Sequence, residues 1–83
     1  MYHSRSVLKD LINIDKEIMS GTPVFKGTRV PVKALFDYME TGKTIEQFLE
    51  DFPTVKYNQV TRLLNIAHQL VISEKSADEK AAA

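Results

Sequence analysis

The stretch Thr54–Ile72, TVKYNQVTRLLNIAHQLVI, decides how the chain is read. Its apolar residues Val60, Leu63, Leu64, Ala67, Leu70 and Val71 recur at three-and-four spacing, which predicts an α-helix with one face turned to a core. The opposite face collects Asn58, Arg62, Asn65 and Gln69, again three or four apart and without a carboxylate. Asn and Gln can pair with the edge of adenine and Arg with the edge of guanine, so this face could read DNA. It could equally be a solvated face, since polar outer faces are the norm for surface helices.

Moving upstream, Phe52-Pro53-Thr54 ends one helix and opens the next, with Thr54 as the expected N-cap. The helix before it opens at Thr44, where Gln47 can close a capping box and Glu46 sits favourably in the first turn. Its inward face is Ile45, Phe48, Leu49 and Phe52. Before that, Val32–Glu40 carries Val32, Leu35, Phe36 and Met39 on one face and stops at Thr41-Gly42. Three amphipathic helices with short connections predict a tri-helical core. Helices two and three have the outline of a helix-turn-helix, with Lys56 placed to meet phosphate.

The N-terminal third reads differently. Met1–Lys9 is polar with two basic side chains and is expected as a flexible arm, residues 1–10. Leu11–Ile14 is short and rich in β-branched residues, a strand candidate. Asp15–Pro23 connects it to Val24-Phe25 and Thr28–Val32, extended segments flanking Lys26-Gly27. Gly27 can supply the positive φ of a tight turn, and Pro23 and Pro31 favour extended geometry in the residue before them. So small a β element needs helices or another chain to pack on. Lys26-Gly27-Thr28-Arg29 lacks the glycine density and strand-to-helix context of a phosphate loop, so Gly21, Pro23, Gly27, Thr28 and Arg29 are read as structural turn residues. Arg29 could anchor its turn through backbone carbonyls or sit at a phosphate. Residues 73–83 are a low-complexity tail, either a frayed helical extension or a disordered segment.

The expected architecture is α+β and mostly α, with one domain over residues 11–72. Short N-terminal strands precede a tri-helical, homeodomain-like helix-turn-helix bundle. Eighty-three residues sit near the size at which one core only just holds, which makes a homodimer a reasonable expectation. A hydrophobic fraction of 43% argues against wholesale disorder. No cysteine is present, so disulfides, thiolate chemistry and cysteine-based zinc sites are excluded. No apolar run has signal-peptide or membrane-span length, which points to a soluble, cytoplasmic chain without membrane contact.

Eleven basic and eleven acidic residues cancel, so no bulk field draws the chain to nucleic acid. The charges are patchy: Lys26, Arg29 and Lys33 are uniformly positive, whereas Glu40–Asp51 holds four acids and one lysine. The two histidines, His3 and His68, lie in the arm and the last helix. The carboxylates show no spacing that holds a metal or an acid–base pair, so no catalytic residue, metal site or cofactor is expected.

Two motifs, Gly21-Thr22-Pro23-Val24 and Gly27-Thr28-Arg29-Val30-Pro31-Val32, follow the strand end Ile14-Asp15. With Gly42, Phe52-Pro53 and the amphipathic last helix, the chain resembles domain-of-unknown-function family 433 (DUF433) from about Leu11 to Val71. It departs at Lys16, where relatives commonly have proline, and at Thr22, often basic in the family. The resemblance implies a helix-turn-helix domain similar to the DNA-binding part of VapB-type bacterial antitoxins. It further implies a neighbouring PIN-like ribonuclease toxin as partner and an operator as the DNA. The alternative is a protein–protein interaction module without DNA binding, meeting its partner through Glu46, Glu50 and Asp51 or through Glu74, Asp78 and Glu79.

Overall fold

The computed structural model describes residues 4–82, with side chains described from Leu8 to Ser73. His3 lies outside these, as do the side chains of Glu74, Asp78 and Glu79. The elements in order are α1 (Ser4–Leu11), β1 (Ile12–Asn13), β2 (Val24–Phe25), α2 (Val32–Glu40), α3 (Ile45–Asp51) and α4 (Tyr57–Ala82). The α+β, mostly helical architecture agrees with the sequence reading, with one helix more than it expected.

That helix is α1. Residues 4–11 are helical rather than a loose arm, because Leu11 buries fully and Leu8 packs beside the core. A helix follows its apolar anchors even when its outer residues are polar. Leu11 therefore closes α1 instead of opening a strand, and β1 shrinks to two residues. β1 pairs antiparallel with β2 in the register Ile12↔Phe25 and Asn13↔Val24. On its other side β2 touches the following segment only through a bridge from Val24 to Pro31 and the Phe25 N–H to Val30 C=O bond of 3.0 Å. Thr28–Val32 thus forms no full strand; Pro31 has no N–H with which to extend a ladder.

The connection between β1 and β2 turns sharply at Met19–Gly21, where φ is positive at all three residues: 52°, 56° and 87°. Only the last is a glycine, so Met19 and Ser20 hold a left-handed conformation that costs L-residues about 1–2 kcal/mol each. Asp15 anchors the bend: its Oδ1 accepts from Glu17 N–H (2.8 Å) and its carbonyl from Ile18 and Gly21 N–H.

α2 stops in a Schellman arrangement. Lys43 N–H donates to Tyr38 C=O (2.9 Å) and Gly42 N–H to Met39 C=O (3.1 Å), with Gly42 at φ 85°. Thr44 then opens α3 with the expected capping box: Gln47 N–H donates to Thr44 Oγ1 (3.1 Å) and Thr44 N–H to Gln47 Oε1 (2.8 Å).

The core gathers Leu11, Phe25, Leu35, Phe48, Val55, Val60, Leu63 and Ile66, from every element but β1. Burial of side chains of this size stabilises by roughly 1.5–3 kcal/mol each. Phe48 is the hub, with ring centroids 4.9 Å from Phe52, 5.4 Å from Tyr38 and 6.0 Å from Phe25. Tyr38 therefore takes the inward place on α2 that periodicity assigned to Met39, which is exposed.

Candidate nucleic-acid interface

The surface is set by how the chain enters α4. Val55 is buried and its N–H donates to Phe52 C=O (3.0 Å), which pins residues 52–56 as a short turn. The first helical residue is Tyr57, so Thr54 lies in the turn rather than at the N-cap. Capping falls to Gln59. Its Oε1 accepts from Lys56 N–H (2.9 Å), the reach-back half of a capping box, and its Nε2 donates to Lys26 C=O (3.1 Å). One amide thus joins the start of α4 to a turn 33 positions earlier in the chain.

From there α4 presents Asn58, Arg62, Asn65 and Gln69 along one face, all exposed, with Lys56 exposed just ahead of them. Four turns of helix carry these residues without an Asp or Glu before Glu74. Among the described residues, the side chains of Asn58, Arg62 and Asn65 have no hydrogen-bond or ion-pair partner. The buried stripe opposite is Val60, Leu63 and Ile66. Ile66 was not on the predicted stripe, while Leu70 and Val71, which were, are exposed along with Ile72.

The predicted turn residues cluster at the hairpin. Gly27, at φ 79°, occupies the third position of the Phe25–Thr28 turn, closed by Thr28 N–H to Phe25 C=O (3.0 Å). Positive φ at that position is the type II turn requirement that glycine meets without steric cost. Thr28 Oγ1 donates to Phe25 C=O (2.8 Å) and accepts from Val30 N–H (3.0 Å). Arg29 makes no such bond: exposed and unpartnered among the described residues, it lines an open cleft of ≈ 640 Å³ with Asn13 and Thr54. The hydroxyl of Thr28, rather than the guanidinium of Arg29, ties the turn. Gly21 ends the Met19–Gly21 bend, and Pro23 C=O accepts from Val32 N–H (2.9 Å), fixing the start of α2 against the hairpin.

The basic segment is not uniform. Lys33 Nζ pairs with Asp37 Oδ2 at 2.8 Å, and the hydrogen bond to that carboxylate raises the Lys33 pKa, helped by its charge. Lys26 and Arg29 keep their charge free of any carboxylate within 4.0 Å among the described residues. On the far side of α3, Glu46 and Glu50 are exposed, while Asp51 accepts from the Tyr38 hydroxyl. That hydrogen bond is the largest cause of a Tyr38 pKa raised above 10.0, followed by burial and then the Asp51 charge. His68 is exposed on α4. Among the described residues, no three of His, Cys, Asp and Glu lie together as a metal site would require, and no helix is long and apolar enough to cross a membrane.

Lys9 and Gln59 have no assigned role in the sequence reading, and Lys26 enters it only as part of the basic turn segment, not as a neighbour of α4. Gln59 was visible in principle: glutamine three residues after the residue preceding a helix is the capping-box position. The residues matching the family described as "Protein of unknown function (DUF433)" are 12–67. The chain is also 33% identical over 58 residues to the uncharacterized protein y4eO of Sinorhizobium fredii (strain NBRC 101917 / NGR234). That match takes in 70% of this chain but spans only about a quarter, 26%, of the relative's length. No solved structure matches the chain.

Proposed function

The chain belongs to the DUF433 family, and from that premise we propose that it is the antitoxin of a toxin–antitoxin pair. In this reading it is a cytoplasmic, homodimeric repressor that binds its operator through α4 and neutralises a PIN-like ribonuclease. The observation that carries the DNA-binding half is the exposed, carboxylate-free face of α4, reached through a five-residue turn from the short α3. Arg62 is the residue best suited to a guanine edge, Asn58, Asn65 and Gln69 to adenine edges, and Lys56 to phosphate. With a net charge of zero, the attraction is local to this face, and two copies on adjacent half-sites supply the rest of the affinity. The chain has no catalytic step and no cofactor in this reading. The toxin half rests on the family resemblance.

The exposed Leu70, Val71 and Ile72 favour the second reading, a protein–protein interaction module that leaves DNA alone. The two separate in one experiment. Co-expression with the neighbouring open reading frame is followed by affinity pull-down and a gel shift on the shared upstream DNA. A complex that retards this DNA supports the antitoxin, and Arg62→Ala then weakens operator binding by roughly 1–3 kcal/mol. A complex that leaves the DNA unshifted supports the interaction module alone. With neither complex nor shift, both readings fail.

A further inference from the structure

The turn at Lys26-Gly27 and the start of α4 are distant in sequence and are tied together by Gln59. Its amide holds the Lys26 carbonyl at 3.1 Å and the Lys56 N–H at 2.9 Å, so the backbones of two lysines flank a single side-chain amide. A third lysine joins them: Lys26 Nζ donates to Lys9 C=O at 3.4 Å, across the end of α1. Lys9, Lys26 and Lys56 are all exposed, and none has a carboxylate within 4.0 Å among the described residues, although Asp10 adjoins Lys9 in sequence. In a chain whose charges sum to zero, three exposed lysines from separate parts of the fold are thus linked through their backbones by the Gln59 amide and the Lys26 ammonium.

We propose that Lys9, Lys26 and Lys56 form one phosphate-contacting edge beside the α4 face, with Gln59 as the positioning residue that assembles it. The inference rests on the DNA-binding reading and extends it from one helix to a composite surface of α1's end, the hairpin turn and the α4 start. The partner is the sugar–phosphate backbone next to the groove that α4 enters. Lysine is suited to this as a mobile point charge, whereas base edges call for the amides and guanidinium of α4. The Lys26 ammonium also covers a carbonyl at the end of α1, a purely structural role that the following test separates. One long donor contact leaves its other N–H groups available to a phosphate oxygen.

The full chain is titrated by fluorescence anisotropy against a duplex from the DNA upstream of its own gene and a scrambled duplex of equal length, between 50 and 200 mM salt. A phosphate contact releases counterions regardless of sequence. Lys9→Gln, Lys26→Gln and Lys56→Gln each therefore weaken binding to both duplexes alike, by about three- to tenfold, and flatten the log–log salt slope by about 0.9. Lys26→Arg keeps the slope. Gln59→Glu retains the acceptor for Lys56 but sets a carboxylate between two lysines, and it weakens both duplexes. Lys16→Gln, an exposed lysine on the β1–β2 connection, changes nothing. If the wild type binds the upstream duplex and the three glutamine variants keep its slope, the lysine edge is wrong and the α4 reading stands. A stability loss in Lys26→Gln with an unchanged slope reduces Lys26 to a helix cap and overturns its place in the edge. Absence of binding to either duplex at 50 mM salt overturns both inferences.

Discussion

The first three turns of α4 and the turns that follow are written in the same alphabet and meet different fates. Val60, Leu63 and Ile66 are 0%, 6% and 8% exposed, whereas Leu70, Val71 and Ile72 are 40%, 64% and 50% exposed. The three-and-four apolar spacing runs on from Leu63, Leu64 and Ala67 through Leu70 and Val71. What changes is the neighbourhood: Val60, Leu63 and Ile66 share one core cluster with Leu11 and Phe48, and Leu70, Val71 and Ile72 stand outside it. A 26-residue helix is roughly 39 Å long, close to the 45 Å extent of the whole. An amphipathic pattern specifies which face would be buried; the other elements decide how far along the helix burial reaches.

Replacing the same residue type in the two halves gives the sharpest test. Leu63→Ala is expected to destabilise the fold by about 2–5 kcal/mol, the range for a buried leucine that leaves a cavity. A loss below 1 kcal/mol in urea unfolding would break the contrast. Gly27→Ala comes next. A methyl there meets nothing within 4 Å, so its cost is conformational, about 1–2 kcal/mol for holding φ at 79°. It also loosens the hairpin that Gln59 ties to α4. Thr44→Ala, which removes the hydroxyl half of the α3 capping box, costs about 1 kcal/mol and shows how firmly the floor under the first turns is held.

In the distal half, Leu70→Ala changes the unfolding free energy of the isolated chain by less than about 0.5 kcal/mol. Should it match Leu63→Ala at high dilution, the two halves are equivalent after all. If its effect grows with protein concentration, the distal face is covered by a second copy. The smallest effect concerns pH. The Tyr38 pKa is raised in the folded chain, so the stability from its bond to Asp51 is complete below pH 10 and is lost as pH rises through the raised value. Tyr38→Phe removes that part of the alkaline decline in the urea midpoint. The part from Lys33, also raised by its carboxylate partner, remains.

Much of this architecture could be read directly from residues. The capping box at Thr44 and Gln47, the glycine stop at Gly42 and the polar face of α4 depend on neighbours within four positions, and the chain writes these down locally. Local rules failed where a distant contact decided. Residues 4–11 became α1 because Leu11 found the core, and helix α4 started at Tyr57 because Val55 had to be buried. Tyr38 replaced Met39 on the inner face of α2 because the rings of Phe48 and Phe52 were there to receive it. The candidate site divides in the same way. Asn58, Arg62, Asn65 and Gln69 share a face by helical period alone, so the sequence by itself determined their alignment. Lys9, Lys26 and Lys56 have no common period; only the folded chain links Lys26 to Lys56 through the Gln59 amide and to Lys9 through its own ammonium, because a hydrogen bond between positions 26 and 59 exists only after the hairpin has packed against the helix.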